Sequence, residues 1–359
     1  MQMQHQYPDD PSKQVSFKDV LLEVPAGTKA DYEAAPFWKE FTIKENEAYA
    51  HVSADGATLT FYYDELKTTR DGHVYPLNED YDLPQWTSNA WNNSIQTVVF
   101  NTSFAKARPT TTAKWFVNME QLTTITGLEN LNTSEVTNMM QMFSYCKQLT
   151  TLDLSTLNTE KVQTMYGMFM GCEKLTSLNL SNFNTAAVFD MSRMFTLCTR
   201  LSSLDISSFN TANVTLITNM FSLCESLMTI YVGNGWSTAN VDKSNLNNYC
   251  DMFLGDNMLE GGAETRYMDY GWSTEGNDDI DYARVDAPGA PGYFTFNGAF
   301  TTGDVNGDGS VTIADVTALV NIILGKTQAP ASGVADVNGD HATTIADVTA
   351  LVNIILGKN

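Results

Sequence analysis

The sequence predicts an α/β repeat solenoid, with one strand plus one helix in each 26-residue repeat, followed by a small all-α C-terminal module. Three observations carry this expectation. A Met-Phe pair recurs at Met142-Phe143, Met168-Phe169, Met194-Phe195 and Met220-Phe221, each followed by a cysteine four residues after the Met. A Leu-x-x-Leu-x-Leu/Ile run follows Cys146, Cys172 and Cys198 in phase, and a degenerate copy, Leu227, Ile230 and Val232, follows Cys224. Near the C-terminus, a twelve-residue acidic loop and the eleven residues behind it occur twice, 32 positions apart.

The repeat elements follow from side-chain spacing. Leu152-Asp153-Leu154 alternates, which predicts a short strand with one apolar face. Val162, Met165, Phe169 and Cys172 are spaced 3, 4 and 3 apart, which predicts one face of a helix. Asn158-Thr159 precedes that helix, where either side chain suits an N-cap. One copy is too small to bury its own apolar face, so neighbours must stack around a shared core. Cys146, Cys172, Cys198 and Cys224 then read as a column of small buried thiols. Disulfides between rungs are the alternative in an oxidising compartment, but Cys250 is out of register and makes the count odd.

The spacing divides the chain into residues 1–45, a strand-rich N-terminal cap over 46–114, the repeats over 115–254, a C-terminal cap and linker over 255–300, and the final module over 301–359. In the cap, Ala57 to Tyr63 and Gln96 to Phe100 are strand-like. The 359 residues carry a net charge of −22, which disfavours a nucleic-acid partner because phosphates would be repelled. No apolar run approaches membrane-spanning length. The first residues lack the apolar core of a secretory signal, so an extracellular or cell-surface protein would need its true start upstream.

Each C-terminal loop carries oxygen donors in the pattern a hard cation with six to eight ligands requires. Loop one offers Asp304, Asn306, Asp308, Ser310 through its carbonyl, and Asp315. Loop two offers Asp336, Asn338, Asp340, Ala342 through its carbonyl, and Asp347. Two structural Ca2+ sites are expected. His341 replaces the glycine that loop one has at Gly309, where the turn requires positive φ, and loop two should bind more weakly. Val316, Leu319, Val320 and Ile323 are expected to pack against Val348, Leu351, Val352 and Ile355. No H-E-x-x-H or G-x-S-x-G motif is present, and an enzyme is not expected.

Three resemblances sharpen these expectations. The Met-Phe-x-x-Cys-x-x-Leu-x-x-Leu-x-Leu pattern over roughly 115–253 resembles the 26-residue repeats of bacterial surface proteins, which are leucine-rich-repeat relatives. Tyr282 to Thr295 looks like the segment that often closes such repeats. Val24 to Phe41 resembles the final repeat of the BspA-like surface proteins, and implies that residues 1–45 are the tail of a longer repeat domain. The duplicated loop and helix over 303–358 resembles a type I dockerin. That resemblance implies a cohesin-like partner and an extracellular assembly for polysaccharide degradation. It places partner choice at loop positions 10 and 11, here Ile313-Ala314 and Ile345-Ala346. The solenoid would then display a surface to a host protein, matrix component or glycan.

Overall fold

The computed structural model describes residues 17, 20–25, 27–77, 83–88, 90–242, 252–267, 278–286, 291–297, 302–306, 311–326 and 334–358. Short strands and turns dominate, and helices are few. The N-terminal part is one sheet. Strand β1 (Leu21–Pro25) leads through helix α1 (Lys29–Ala34) to β2 (Thr42–Val52), which it pairs in parallel over its whole length. Strand β2 runs through position 45 and pairs antiparallel with both β3 (Thr58–Asp64) and β4 (His73–Pro76). Helix α2 (Gln85–Ser88) precedes β5 (Thr97–Phe100), which pairs in parallel with β3 on one side and with β6 (Thr124–Thr126) on the other.

The same strand position then recurs at β7 (Thr151–Asp153), β8 (Ser177–Asn179), β9 (Ser203–Ile206) and β10 (Thr229–Val232). A last strand, β11 (Phe294–Phe296), pairs with β10. Strands β7 and β8 pair, as do β9, β10 and β11, always in parallel. A second line of parallel bridges links Thr111, Asn138, Thr164, Asp190 and Leu216 in succession. Successive copies are therefore joined by backbone along two edges.

The helix expected in each repeat does not form. Among the described residues, none between 110 and 242 is in an α-helix. The Met-Phe segment is a run of tight turns whose N–H groups alternate between two destinations. Met168, Met170 and Cys172 donate locally to Met165, Gly167 and Phe169 at 3.1 Å. Gly167, Phe169 and Gly171 donate to Ser192, Met194 and Thr196 of the next copy at 2.8–2.9 Å. A helix would return every N–H to its own chain; here half of them stitch neighbouring copies together. The alternation requires left-handed residues, which recur at 141 and 145, 167 and 171, 193 and 197, and 219 and 223. Tyr145, Leu197 and Leu223 adopt this conformation with a side chain, but at Gly171 a Cβ would lie 2.5 Å from the Tyr145 ring, so glycine is favoured there for space.

The inside of the array is built from columns. Phe116, Phe143, Phe169, Phe195, Phe221 and Phe253 stack at centroid separations of 5.3–5.8 Å. Cys146, Cys172, Cys198 and Cys224 are buried and free. Their Sγ atoms donate to the carbonyls of Phe116, Phe143, Phe169 and Phe195 at 3.1–3.3 Å. Burial pushes the Cys172 thiol up to about 12, so it stays an S–H donor. Cys250 lies outside the described residues. The Asn-Thr pairs are not helix caps. Buried Thr159 and Thr185 each accept from the N–H of the next copy's Asn at 2.8 Å and donate to the same residue's carbonyl at 2.8–2.9 Å. The Asn side chains close local turns, as Asn158 Oδ1 does by accepting from Glu160 N–H.

The C-terminal module has its own small core. Helices α3 (Ile313–Ile323) and α4 (Ile345–Ile355) pack through Leu319 and Leu351, with Val305, Ala335 and Val337 from the loops. The contact face includes Ile322 and Ile354 in place of the expected Val320 and Val352. The start of loop one covers this face, since a Cβ at Gly303 would lie 2.9 Å from Leu351 and 3.9 Å from Ile354.

Candidate functional site: two paired acidic loops

Each helix of the module begins with the same reciprocal cap. Thr312 and Thr344 are extended residues whose hydroxyls accept from Ala314 and Ala346 N–H at 3.2 Å. Asp315 and Asp347 reach back to the N–H of Thr312 and Thr344 at 2.7 Å. The sequence carries this cap as Thr-x-x-Asp, a shortened form of the Thr-x-x-Glu capping box, at positions it shares with the ligand pattern.

The two aspartates also hold the start of their loops. Asp315 Oδ1 accepts from Val305 and Asn306 N–H at 2.8 and 3.0 Å, and Asp347 Oδ1 from Val337 and Asn338 N–H at 2.8 and 3.1 Å. Both are fully buried. Burial alone would raise the Asp347 carboxyl; the N–H groups of Thr344, Asn338 and Val337 more than reverse this and hold it below its ordinary value. Position 12 of each loop is thus a hub joining the loop's first residues to the helix start.

Loop two is described in full. Asp336 accepts from Asp340 N–H at 3.0 Å and His341 N–H at 2.8 Å. Asn338 Oδ1 accepts from Asp340 N–H at 2.8 Å, and Asp340 Oδ1 accepts from Ala342 N–H at 2.9 Å. Asn338 Nδ2 donates to Asp340 Oδ2 at 2.9 Å. Asp308 and Ser310 of loop one lie outside the described residues, while Asp304, Asn306 and Asp315 are within them. Among the described residues, no three Asp, Glu, His or Cys side chains are already gathered into a cage. The donor set still fits a hard divalent cation. Loop two presents three carboxylates, one amide and one main-chain carbonyl, with no nitrogen or sulfur ligand.

His341 adopts φ +66°, the left-handed conformation expected at its position. Its imidazole is exposed, with Nδ1 3.8 Å from Asp336 Oδ2. A left-handed backbone costs a non-glycine residue about 1 kcal/mol. His341→Gly is therefore expected to tighten calcium binding at loop two about fivefold. Calorimetry of the parent chain should resolve two unequal sites; two equal sites, or no change in the variant, would refute the assignment of weakness to His341.

The four expected partner positions lie on the surface. Ile313 and Ile345 are each 71% exposed, and Ala314 and Ala346 are exposed beside them. Leu324 and Leu356, just past the helix ends, are exposed as well. The module therefore carries the same apolar group twice.

Trp86, Trp115 and Trp236 are buried, and the Nε1 atoms of Trp86 and Trp236 donate to main-chain carbonyls at 2.8 Å. Asp153 and Asp205 hold turns by accepting from Ser155 and Ser207 N–H. Two open polar grooves lie near the strand ends, one of about 450 Å³ between β8 and β9, the other of about 370 Å³ between β6 and β7. No helix among the described residues is long and apolar enough to cross a membrane.

Comparison with known families finds matches in two parts of the chain. Residues 110–231 and 148–261 match the family described as a Mycoplasma protein of unknown function, DUF285. No curated protein matches the chain, and no solved structure does. Residues 302–356 match the type I dockerin domain, so a dockerin module follows a repeat segment whose family has no known function.

Proposed function

We propose that the chain is a non-catalytic, secreted or cell-surface protein that docks through its C-terminal module to a cohesin-like partner. Its repeats form a leucine-rich-type solenoid of strand-and-turn coils that displays a binding surface. The observation that carries this reading is the match of residues 302–356 to the type I dockerin domain. Dockerin domains of this type bind calcium and dock to cohesins in cellulosome-like assemblies, and they are typically extracellular. The geometry supports the same role. Both helices are capped by the residue that ends each loop, so an ion bound in the loop would order the helix start and the exposed Ile-Ala pair together. The metal's part is to fold the docking surface, with Asp304, Asn306, Asp308 and Asp315, and Asp336, Asn338, Asp340 and Asp347, as its side-chain ligands.

A pull-down with a panel of type I cohesins tests this reading. Capture is expected with calcium and lost with a chelator; capture that survives the chelator would refute it. Because Ile313-Ala314 and Ile345-Ala346 are equivalent, replacing one pair by charged residues should leave binding largely intact, and replacing both should abolish it.

A second reading makes the chain an accessory carbohydrate-binding component of a polysaccharide-degrading assembly. The polar groove between β8 and β9 favours it.

A further inference from the structure

The parallel strands of the array are interrupted between β8 and β9, where no register joins them among the described residues. The Leu180 carbonyl there accepts from the Ser208 hydroxyl at 3.1 Å, and the interruption opens the larger groove. Asn179 lines one side, Asp205 and Ser207 the other, and Asn297 one end. These side chains are held in place. Asn297 Nδ2 donates to Asp205 Oδ2 at 3.0 Å, Asn179 Nδ2 donates to Asp153 Oδ1 at 2.9 Å, and Asp205 Oδ1 accepts from Ser207 N–H at 2.9 Å.

Tyr231 lies on β10, one strand beyond the β9 wall of the groove. It lies directly across from Asp205 in the β9–β10 register, and its neighbours Ile230 and Val232 are buried, so Tyr231 shares the outward face with Asp205. No lysine or arginine is among the described residues that line the groove, which leaves a phosphate, sulfate or carboxylate without a counter-charge. The groove offers carboxamides that both donate and accept, hydroxyls that do the same, one carboxylate and an adjacent aromatic ring. A neutral sugar ring presents the complement: hydroxyls around its rim and C–H groups on its faces.

We propose that this groove binds one unit of a neutral, extended saccharide chain. Asp205 accepts from ring hydroxyls, Asn179 and Asn297 exchange hydrogen bonds with them, and Tyr231 packs on the ring face. The smaller groove, lined by Glu129, Thr151, Asp153 and Thr156, lies two strand positions away at the interruption between β6 and β7. Two strand spacings are about 10 Å, on the order of one disaccharide, so one chain reaches both grooves. The assignment rests on the carbohydrate-binding reading above and names its site and ligand class.

The test is calorimetry of the full chain with cellohexaose, xylohexaose and mannohexaose, each with calcium and with a chelator. At least one is expected to bind, equally well in both conditions. Asp205→Asn, which keeps the turn to Ser207, and Tyr231→Ala should each weaken binding about tenfold, the effect of one lost charge-assisted hydrogen bond or stacking contact. A variant with an unchanged melting temperature and unchanged affinity at both positions overturns the site. So does failure of all three oligosaccharides to bind, or binding of an extended peptide in the groove instead. Because saccharide binding is expected to ignore calcium, its failure leaves the docking reading standing, and loss of docking leaves the groove standing.

Discussion

Phe169→Ala is expected to destabilise the repeat array by about 3–5 kcal/mol, the usual result of emptying a buried phenylalanine site. The ring is fully buried between Phe143, 5.8 Å away and 4° from parallel, and Phe195, 5.6 Å away and 11° from parallel. Its backbone N–H is bonded to Met194 in the next copy. Neighbouring coils are spaced by main-chain hydrogen bonds, so they cannot close over the void, and the result should fall in the upper part of the range. For an array of this size the melting temperature should drop by about 10 °C. Phe169→Leu should lose about a third as much. Because each copy touches only its neighbours, the alanine variant should also broaden the transition as the two sides of the array uncouple. Circular dichroism melts of the three proteins provide the measurement; a loss under about 1 kcal/mol would show that the column does not bear on stability.

Asp347→Ala is expected to unfold the C-terminal module in the absence of calcium. The substitution removes the acceptor of three N–H groups, from Thr344, Val337 and Asn338. The Val337 N–H is buried and would cost about 1–3 kcal/mol without a partner, and the partly buried N–H groups of Asn338 and Thr344 add less each. A module of this length has about 3–8 kcal/mol in all, so the loss is a large fraction of it. Asp347→Asn should be intermediate, since its amide group would place a donor against the Thr344 N–H. The same hub predicts acid sensitivity. The folded carboxyl titrates below its unfolded value of about 3.9, so its contribution is complete above that value and disappears as pH falls through the lower, folded value. Acid unfolding of the module should therefore begin below about pH 4, and move to higher pH in Asp347→Asn. Near-identical acid profiles for the parent and the variant would refute the hub.

The period of the array was legible because identical side chains at Met168, Cys172, Leu175 and Leu178 recur in phase, and only stacking buries them all. The turns inside each coil were not legible, for a physical reason. Spacings of 3, 4 and 3 among Val162, Met165, Phe169 and Cys172 also arise in a run of turns that keeps every third or fourth side chain inward. Gly167 and Gly171, both left-handed, were the visible contrary sign, since a helix interior disfavours glycine. The Thr159 and Thr185 ladder was not legible, because a threonine before an apolar run looks the same whether its hydroxyl caps its own segment or reaches the next copy. In the C-terminal module the ligand spacing and the positive φ at His341 were both readable. The second task of Asp315 and Asp347 was hidden because one side chain serves two patterns that share a position.

The alternating destinations of the Met-Phe amides have a consequence for how such a chain can change. The bonds between regular coils repeat one pair of positions from copy to copy, as Gln141 to Tyr166, Gly167 to Ser192 and Arg193 to Thr218 do, so nothing in that part of the array records its own length. A gene could gain or lose a whole unit without leaving a mismatched amide, whereas an extra residue has to be taken up between the bonded segments, as it is between Phe116 and Phe143, where Phe116 still donates to Met142. Length in this protein is therefore a quantised variable, set by genetic duplication and adjustable in steps of about 5 Å.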